Sequence, residues 1–392
     1  MRFIHTADWH FGQTLKGHDR KAEHEFFVGQ LIDYIINYEP DALLIAGDLY
    51  DSNTPSNETD NFFRQQILRI KQACPQLHII MIAGNHDGYS KHEADSQLWQ
   101  LGGIDVVGQI AFNNQQTDYN RHIIYIKDKG YILAVPFTHY FPPMPENDNI
   151  TERRAYFFSQ LLKRADELNT QNLPIVMMAH INYQGANIAN QESLVVGGED
   201  ATPAEELGSG FDYLAMGHIH FPQTHDKARY SGSPIPINFT ETYQHSVTLV
   251  DIKEHNQQPD ITTLPLNNLF EVCTLRQGQA TIKDFLQEVE QECNAKRCYY
   301  KLIINASDAT SATEQDILNT VKHIEQSRYC GYEIAAETEL KDTNIQHNNY
   351  TPQQLEQYDP LKLAKEYYKE QFNDDMDEET EQLLTEIILN TK

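Results

Sequence analysis

Two imidazoles one residue apart, His218 and His220, follow the apolar run Tyr213-Leu214-Ala215-Met216 and the turn residue Gly217. On an extended backbone, side chains two positions apart share a face, so this pair can chelate a metal ion. Asp8-Trp9-His10 repeats the arrangement with a carboxylate and an imidazole after the strand-like Phe3 to Ala7. Three further apolar runs end on ligand-type residues: Ala42 to Ala46 before Gly47-Asp48, His78 to Ala83 before Gly84-Asn85-His86-Asp87, and Pro174 to Ala179 before His180. Asp8, His10, Asp48, Asn85, His180, His218 and His220 are too many for one ion, and two ions sharing Asp48 as a bridging carboxylate account for them. Imidazole, carboxylate and amide ligation without thiolate suits Mn²⁺, Fe²⁺ or Zn²⁺, and the share of hard oxygen favours Mn²⁺. Two such ions roughly 3.5–4 Å apart suit phosphoester hydrolysis, because they activate a water and hold phosphate oxygens for in-line attack. His86, beside a ligand, is then left for the phosphate or the leaving oxygen, as orienter or general acid. His24, His78, His122, His225 and His245 read as structural.

These residues need a scaffold that brings the ends of several strands together. The continuous apolar runs imply strands covered on both faces, as in a parallel sheet flanked by helices, and the carboxyl edge of an open α/β sheet is where sites form. Lys21 to Tyr38 carries Phe27, Leu31, Ile35 and Tyr38 at helical spacing, and Pro55-Ser56 opens a second helix through Phe62, Phe63, Ile67 and Ile70. A third helix is expected over about 151–168, and a hairpin over 122–135. The polar, proline-containing stretch 259–269 reads as a linker. Beyond it, a helix at 281–292, a strand at 299–304, a helix at 312–326 and a strand at 332–336 make a small α/β unit. Asp359-Pro360 is an N-cap followed by proline at the first helical position, opening helices with apolar faces at Leu361, Ala364, Tyr368 and Phe372, then at Leu383, Leu384, Ile387 and Ile388. The implied division is 1–257, 270–340, a linker at 341–358, and helices at 359–392.

The 392 residues carry a formal net charge of −27, which argues against holding nucleic acid by the overall field. Lys16, Arg20, Lys21 and Lys91 lie near site-forming loops and are candidates for phosphate contact, with solvated positions as the competing reading. Trp9, Tyr50 and Tyr89 are candidates for base stacking, against packing roles. Five cysteines without a C-x-x-C imply neither a disulfide framework nor a zinc ribbon. No apolar run approaches a membrane span, and the first residues lead into a strand rather than a signal peptide, so a cytoplasmic protein is expected.

The set Asp8-x-His10, Gly47-Asp48, Gly84-Asn85-His86-Asp87, His180 and Gly217-His218-x-His220 resembles the calcineurin-like metallophosphoesterase superfamily. That resemblance implies an α/β sandwich of two mixed sheets flanked by helices. More specific strings are similar to the nuclease subunits of bacterial SbcC/SbcD DNA-repair complexes: HTADWHFGQTL at 5–15, IAGDLYD at 45–51, AGNHDG at 83–88, INYQGA at 181–186, FDYLAMGHIHFPQ at 211–223 and YSGSPIPINFTE at 230–241. By that resemblance 270–340 is a small α/β capping domain. That resemblance also implies that the terminal helices dock on an SbcC-type ATPase and that the chain is a homodimer within a heterotetramer. The resemblance implies that Asp8, His10, Asp48 and His220 hold one metal and Asp48, Asn85, His180 and His218 the other, with His86 catalytic. The implied activity is Mn²⁺-dependent cleavage of DNA ends and hairpins, as 3′→5′ exonuclease and endonuclease. A small-molecule phosphodiesterase or nucleotidase, and a metal-binding scaffold without catalysis, are the alternatives.

Overall fold

The computed structural model describes residues 1–88, 95–113, 116–145, 149–188, 201–335 and 365. The expected linker at 341–358 and, Lys365 apart, the helices at 359–392 lie outside them, as do Tyr89 and Lys91. In chain order the main strands are β1 (Arg2–Thr6), β2 (Ala42–Ala46), β3 (His78–Ile82), β4 (Ile104–Val107), β5 (Ile123–Ile126), β6 (Gly130–Val135), β7 (Ile175–His180), β8 (Tyr213–Gly217), β9 (Gln223–His225), β10 (Ala228–Tyr230), β11 (Ser246–Asp251), β12 (Asp260–Pro265), β13 (Glu271–Arg276), β14 (Cys298–Ile304) and β15 (Arg328–Ile334). The longer helices are α1 (Lys21–Tyr38), α2 (Asn57–Ala73), α3 (Arg153–Leu168), α4 (Ile282–Ala295) and α5 (Ser311–Val321).

Two six-stranded sheets form, in the orders β12-β11-β1-β2-β3-β4 and β9-β10-β8-β7-β6-β5. Each has parallel strands at its centre and antiparallel pairing at an edge, as the resemblance implied. Their inner faces meet in one core, Phe3, Leu44, Ile80 and Ile82 against Ile132, Val176, Met178 and Tyr213. The alternate residues of the first sheet, Leu43, Ile45, Ile79 and Met81, pack under Phe27 and Leu31 of α1 and Phe63 and Ile67 of α2. Leu133, Met177 and Leu214 of the second sheet do the same under Phe157, Phe158 and Leu161 of α3. Burial on both faces is why these strands read as unbroken apolar runs.

Several expectations are corrected. The large domain does not stop at 257, and 259–269 is not all linker: β12 pairs antiparallel with β11, from Ser246 opposite Pro265 to Asp251 opposite Asp260. Its polar, half-solvated sequence is that of an edge strand, where proline at the end is tolerated. The small unit holds one strand more than expected, since β13 pairs parallel with β14 and β14 with β15, and α4 and α5 supply the crossovers. Glu271-Val272-Cys273-Thr274-Leu275-Arg276 alternates polar and apolar, and its closeness to the prolines at 259 and 265 hid that pattern. α5 also ends at Val321 rather than 326.

The small unit docks through a buried ion pair. Arg20, 1% exposed, pairs its Nε with Glu23, donates from Nη1 to Gln13 Oε1 at 3.0 Å and Pro236 O at 2.9 Å, and lies 4.9 Å over the Tyr299 ring. Tyr299 Oη donates to Glu23 Oε2 at 3.1 Å, and His18 Nε2 contacts Tyr329 O at 2.8 Å. Arg20 is therefore a junction residue and not a phosphate contact. Removing one member of a buried pair strands the other charge, at a cost of about 3–5 kcal/mol. Arg20→Met is expected to lower the unfolding free energy by that amount in urea titration, and adding Glu23→Gln to recover much of it. A double variant no more stable than the single one would show that the stranded carboxylate is not the cause.

Candidate metal centre

The loops after β1 and β2 are zipped together, with Asp8 N donating to Gly47 O at 3.0 Å, His10 N to Asp48 O at 3.0 Å and Phe11 N to Leu49 O at 2.9 Å. Asp8 (φ 55°), His10 (φ 48°), Asp48 (φ 48°) and His218 (φ 102°) all hold left-handed backbone. Such residues cost of order 1–3 kcal/mol each and persist only where the surroundings over-determine them. One clamp is Asp87, whose carboxylate accepts from Leu49 N at 3.0 Å, Tyr50 N at 2.9 Å and Gly84 N at 2.8 Å. It fixes the Gly84-Asn85-His86 turn onto the Asp48 loop. The two sheets also come close here: a Cβ on Gly217 would stand 1.9 Å from Ala46 O, and one on Gly47 2.2 Å from His180 Nδ1.

All the sequence-predicted ligands converge at this edge. His180 Nδ1 donates to Ala46 O at 2.9 Å. Because that carbonyl can only accept, Nδ1 is a donor and the neutral ring has its lone pair on Nε2, which lies 2.9 Å from Asn85 Oδ1 and 3.3 Å from Asp48 Oδ2. His218 Nδ1 lies 3.0 Å from Asn85 Oδ1, and its backbone N donates to Asp8 Oδ1 at 2.9 Å. His10 Nε2 lies 3.7 Å from Asp48 Oδ2. His220 Nδ1 contacts Glu241 Oε1 at 2.8 Å. Asp8, His10 and His220 bring their donor atoms within 4.8 Å of one another, as do Asp8, Asp48 and His180, and His10, Asp48 and His86. Asp8 thus belongs to two of the groups, like Asp48, whereas the sequence points to Asp48 alone as a bridge.

Electrostatics also favour cations. Asp8 Oδ2 and His10 Nε2 are buried without a hydrogen-bond partner, atoms that an ion or an ordered water would complete. Burial opposes ionisation of Asp48, yet the His180 and His10 imidazoles outweigh it and hold its carboxyl well below the usual range. Burial likewise opposes charge on His10 and His180, but Asp51 and Asp48 raise His10, and Asp48 raises His180, each to about 9. His218 is pushed down to about 3 by burial and the neighbouring His180. The carboxylates demand positive charge, so the donor set fits divalent cations.

His86 stands at the exposed mouth. Its backbone N donates to Asp48 Oδ1 at 2.9 Å, its Nδ1 donates to Asp51 O at 3.1 Å, and its ring meets His10 edge-on at 4.9 Å. Sequence reasoning missed Asp51, Asp87 and Glu241. Asp87 could have been found, since it closes the turn that starts at Gly84; Glu241 lies 21 residues from His220 and carried no signal. The histidines read as structural are held by other groups: His24 by Arg20 O and Trp9 O, His122 by Ala134 O, His245 by Ser233 O, His78 by Asp105 and His225 by Gln223. Trp9 is fully buried against Phe27 and Phe63, and Tyr50 donates to Asp60 within the core, so neither is a stacking surface.

Glu241 also accepts from Ser233 Oγ at 3.1 Å and Ile237 N at 3.0 Å, which fixes the carboxylate that orients His220. Loss of such an orienting carboxylate typically weakens metal binding about 10–100-fold. Glu241→Gln is expected to show that loss in calorimetric titration with Mn²⁺, and an unchanged isotherm would remove Glu241 from the centre.

The calcineurin-like phosphoesterase family model matches residues 1–222. Curated relatives named as the SbcD component of the SbcCD nuclease include those of Rhodobacter capsulatus, 32% identical over 270 residues, of Bacillus subtilis, 32% over 273, and of Escherichia coli K12, 28% over 275. These alignments cover 64%, 64% and 63% of this chain, and 66%, 66% and 65% of the relatives, so the chain spans just under two thirds of their length. The family match takes in every ligand-bearing strand end, from Asp8 to His220, and the chain belongs to the calcineurin-like phosphoesterase family.

Proposed function

We propose that this protein is a Mn²⁺-dependent DNA nuclease that cleaves DNA ends from 3′ to 5′ and hairpins internally, together with an SbcC-type ATPase. The observation that carries the reading is the set of overlapping carboxylate and imidazole clusters around Asp8 and Asp48, with His86 at their open side. The relatives, named as nucleases, supply the substrate class. Two divalent cations held by Asp8, His10, Asp48 and His220, and by Asp48, Asn85, His180 and His218, supply charge neutralisation at the phosphate and a lowered pKa for the attacking water.

The chain's own residues do the rest. Ala46 O fixes His180 with its Nε2 lone pair inward, and Glu241 holds His220 in the same sense. Asp87 and the zipped loops keep Asp48 and Asn85 in place, so little reorganisation accompanies reaction. His86, whose Nδ1–H is held by Asp51 O, presents Nε2 to the phosphate, and as an imidazolium it donates the Nε2 proton or a hydrogen bond to the departing oxygen. The segment 359–392 binds the ATPase, the chain pairs as a homodimer, and the complex works on DNA in the cytoplasm. Among the described residues no helix is long and apolar enough to cross a membrane.

The test is cleavage of end-labelled duplex and hairpin DNA with Mn²⁺, with and without the ATPase. Asp48→Ala is expected to abolish cutting, while His86→Ala keeps metal binding and loses roughly 10²-fold or more in turnover. Hydrolysis of a small phosphodiester with no DNA cut under any of these conditions would replace the nuclease with a small-molecule phosphodiesterase.

A further inference from the structure

Beside the metal centre lies a cavity of about 590 Å³ whose wall includes Asn85, Phe112, Phe137, His139, Tyr140 and Arg153. Its size is in the roughly 300–1,000 Å³ range of small-ligand sites. An unbroken row of rings leads into it from a ligand: the Phe137 ring is 6.2 Å from His180, His139 is 4.8 Å from Phe137, and Tyr140 is 6.4 Å from His139. At the rim Tyr140 is 83% and Phe112 58% exposed, an unusual amount of aromatic surface to leave in water beside a reaction centre.

The loop that carries these rings is built to stand still. Phe137 N donates to Ala83 O at 2.9 Å, tying it to the end of β3. Thr138 Oγ1 accepts from Tyr140 N at 3.2 Å and donates to Tyr140 O at 2.9 Å, and prolines follow at 142, 143 and 145. A fixed aromatic platform gives up little conformational entropy when something stacks on it.

We propose that this cavity is a nucleobase subsite, which takes the base of the nucleotide next to the scissile phosphate by stacking on the exposed Tyr140, with His139, inclined 58° to it, closing on the base's edge. The inference rests on the nuclease reading and deepens it. Asn85 is shared between the cavity and the ligand set, so a phosphate at the metal centre leaves its adjoining nucleoside over this wall. The occupant is a base and not a run of phosphates, because the chain carries a net charge of −27 and, among the described residues, Arg153 is the one lysine or arginine in the wall. Stacking is indifferent to sequence, since every base has a π-face, and it does not weaken with salt as phosphate contacts do.

The experiment compares thymidine 5′-p-nitrophenyl phosphate with its analogue lacking the base, on the full Mn²⁺-loaded chain, alongside anisotropy of a fluorescent oligothymidine in EDTA, where no cleavage occurs. The wild type is expected to show a KM about tenfold or more lower for the ester that carries the base. Tyr140→Ala with His139→Ala should bring the two KM values together and weaken oligothymidine binding, and Tyr140→Phe should restore most of the preference. Equal KM values in a wild type that cuts DNA would overturn the subsite and leave the nuclease standing. A base preference in a protein that cuts no DNA would keep the subsite and remove the nuclease. Preference retained in the double variant would place the base elsewhere and overturn the proposal.

Discussion

Everything at this centre depends on two sheets meeting almost backbone to backbone at their carboxyl edges. Gly217 lies so near Ala46 O that any side chain would collide with it, and Gly47 stands equally close to His180. That contact lets candidate ligands after β1, β2 and β3 face those of β7 and β8 across a distance that one or two cations would span. The small residues Ala42, Ala46, Ala134 and Ala215 in the intersheet core serve the same approach, because larger ones would splay the sheets. Packing between the sheets and metal geometry are thus one constraint.

A second consequence is electrostatic. Folding buries Asp8 and Asp48 beside His10 and His180, where isolated charges are strongly disfavoured. Without a cation the carboxylates draw protons onto the imidazoles, and both His10 and His180 rise to about 9. Protons and metal therefore compete for the same positions. The strained backbone of Asp8, His10, Asp48 and His218 follows from the same arrangement. It is tolerated because interlocking loops hold these side chains in place.

The sheets and the convergence of the candidate ligands were legible because both rest on local signals. A strand buried on two faces must be apolar throughout, and a ligand at its end must follow within a few residues, so β2, β3, β7 and β8 announced themselves together with Asp48, Asn85, His180 and His218. What escaped was set by distant contacts. β12 is recognisable only from β11, against which it pairs, since half-solvated polar sequence looks like linker. Arg20 stands where a basic residue near a site-forming loop invites a phosphate, and its burial depends on Glu23 and on Tyr299, far along the chain in the small unit. Trp9 lies between Asp8 and His10 yet turns inward against Phe27 and Phe63, and Tyr50, two residues past Asp48, turns inward to donate to Asp60.

The same reasoning links parts of the chain that sequence keeps apart. Pro236 O accepts from Arg20, and Ile237 O accepts from Gln13 at 2.9 Å, so the segment 231–241 is anchored at the junction with the small unit. At its other side Ile237 N, Ser233 Oγ and Asn238 Nδ2 all donate to Glu241, whose Oε1 meets His220. Tyr299 of the small unit is thus joined to a candidate metal ligand through Glu23, Arg20, a short proline-containing loop and one buried carboxylate. Each bond in that series would be unremarkable alone. As a series they leave the loop no freedom that His220 does not share, which makes the docking of the small unit part of what sets the geometry of the metal centre.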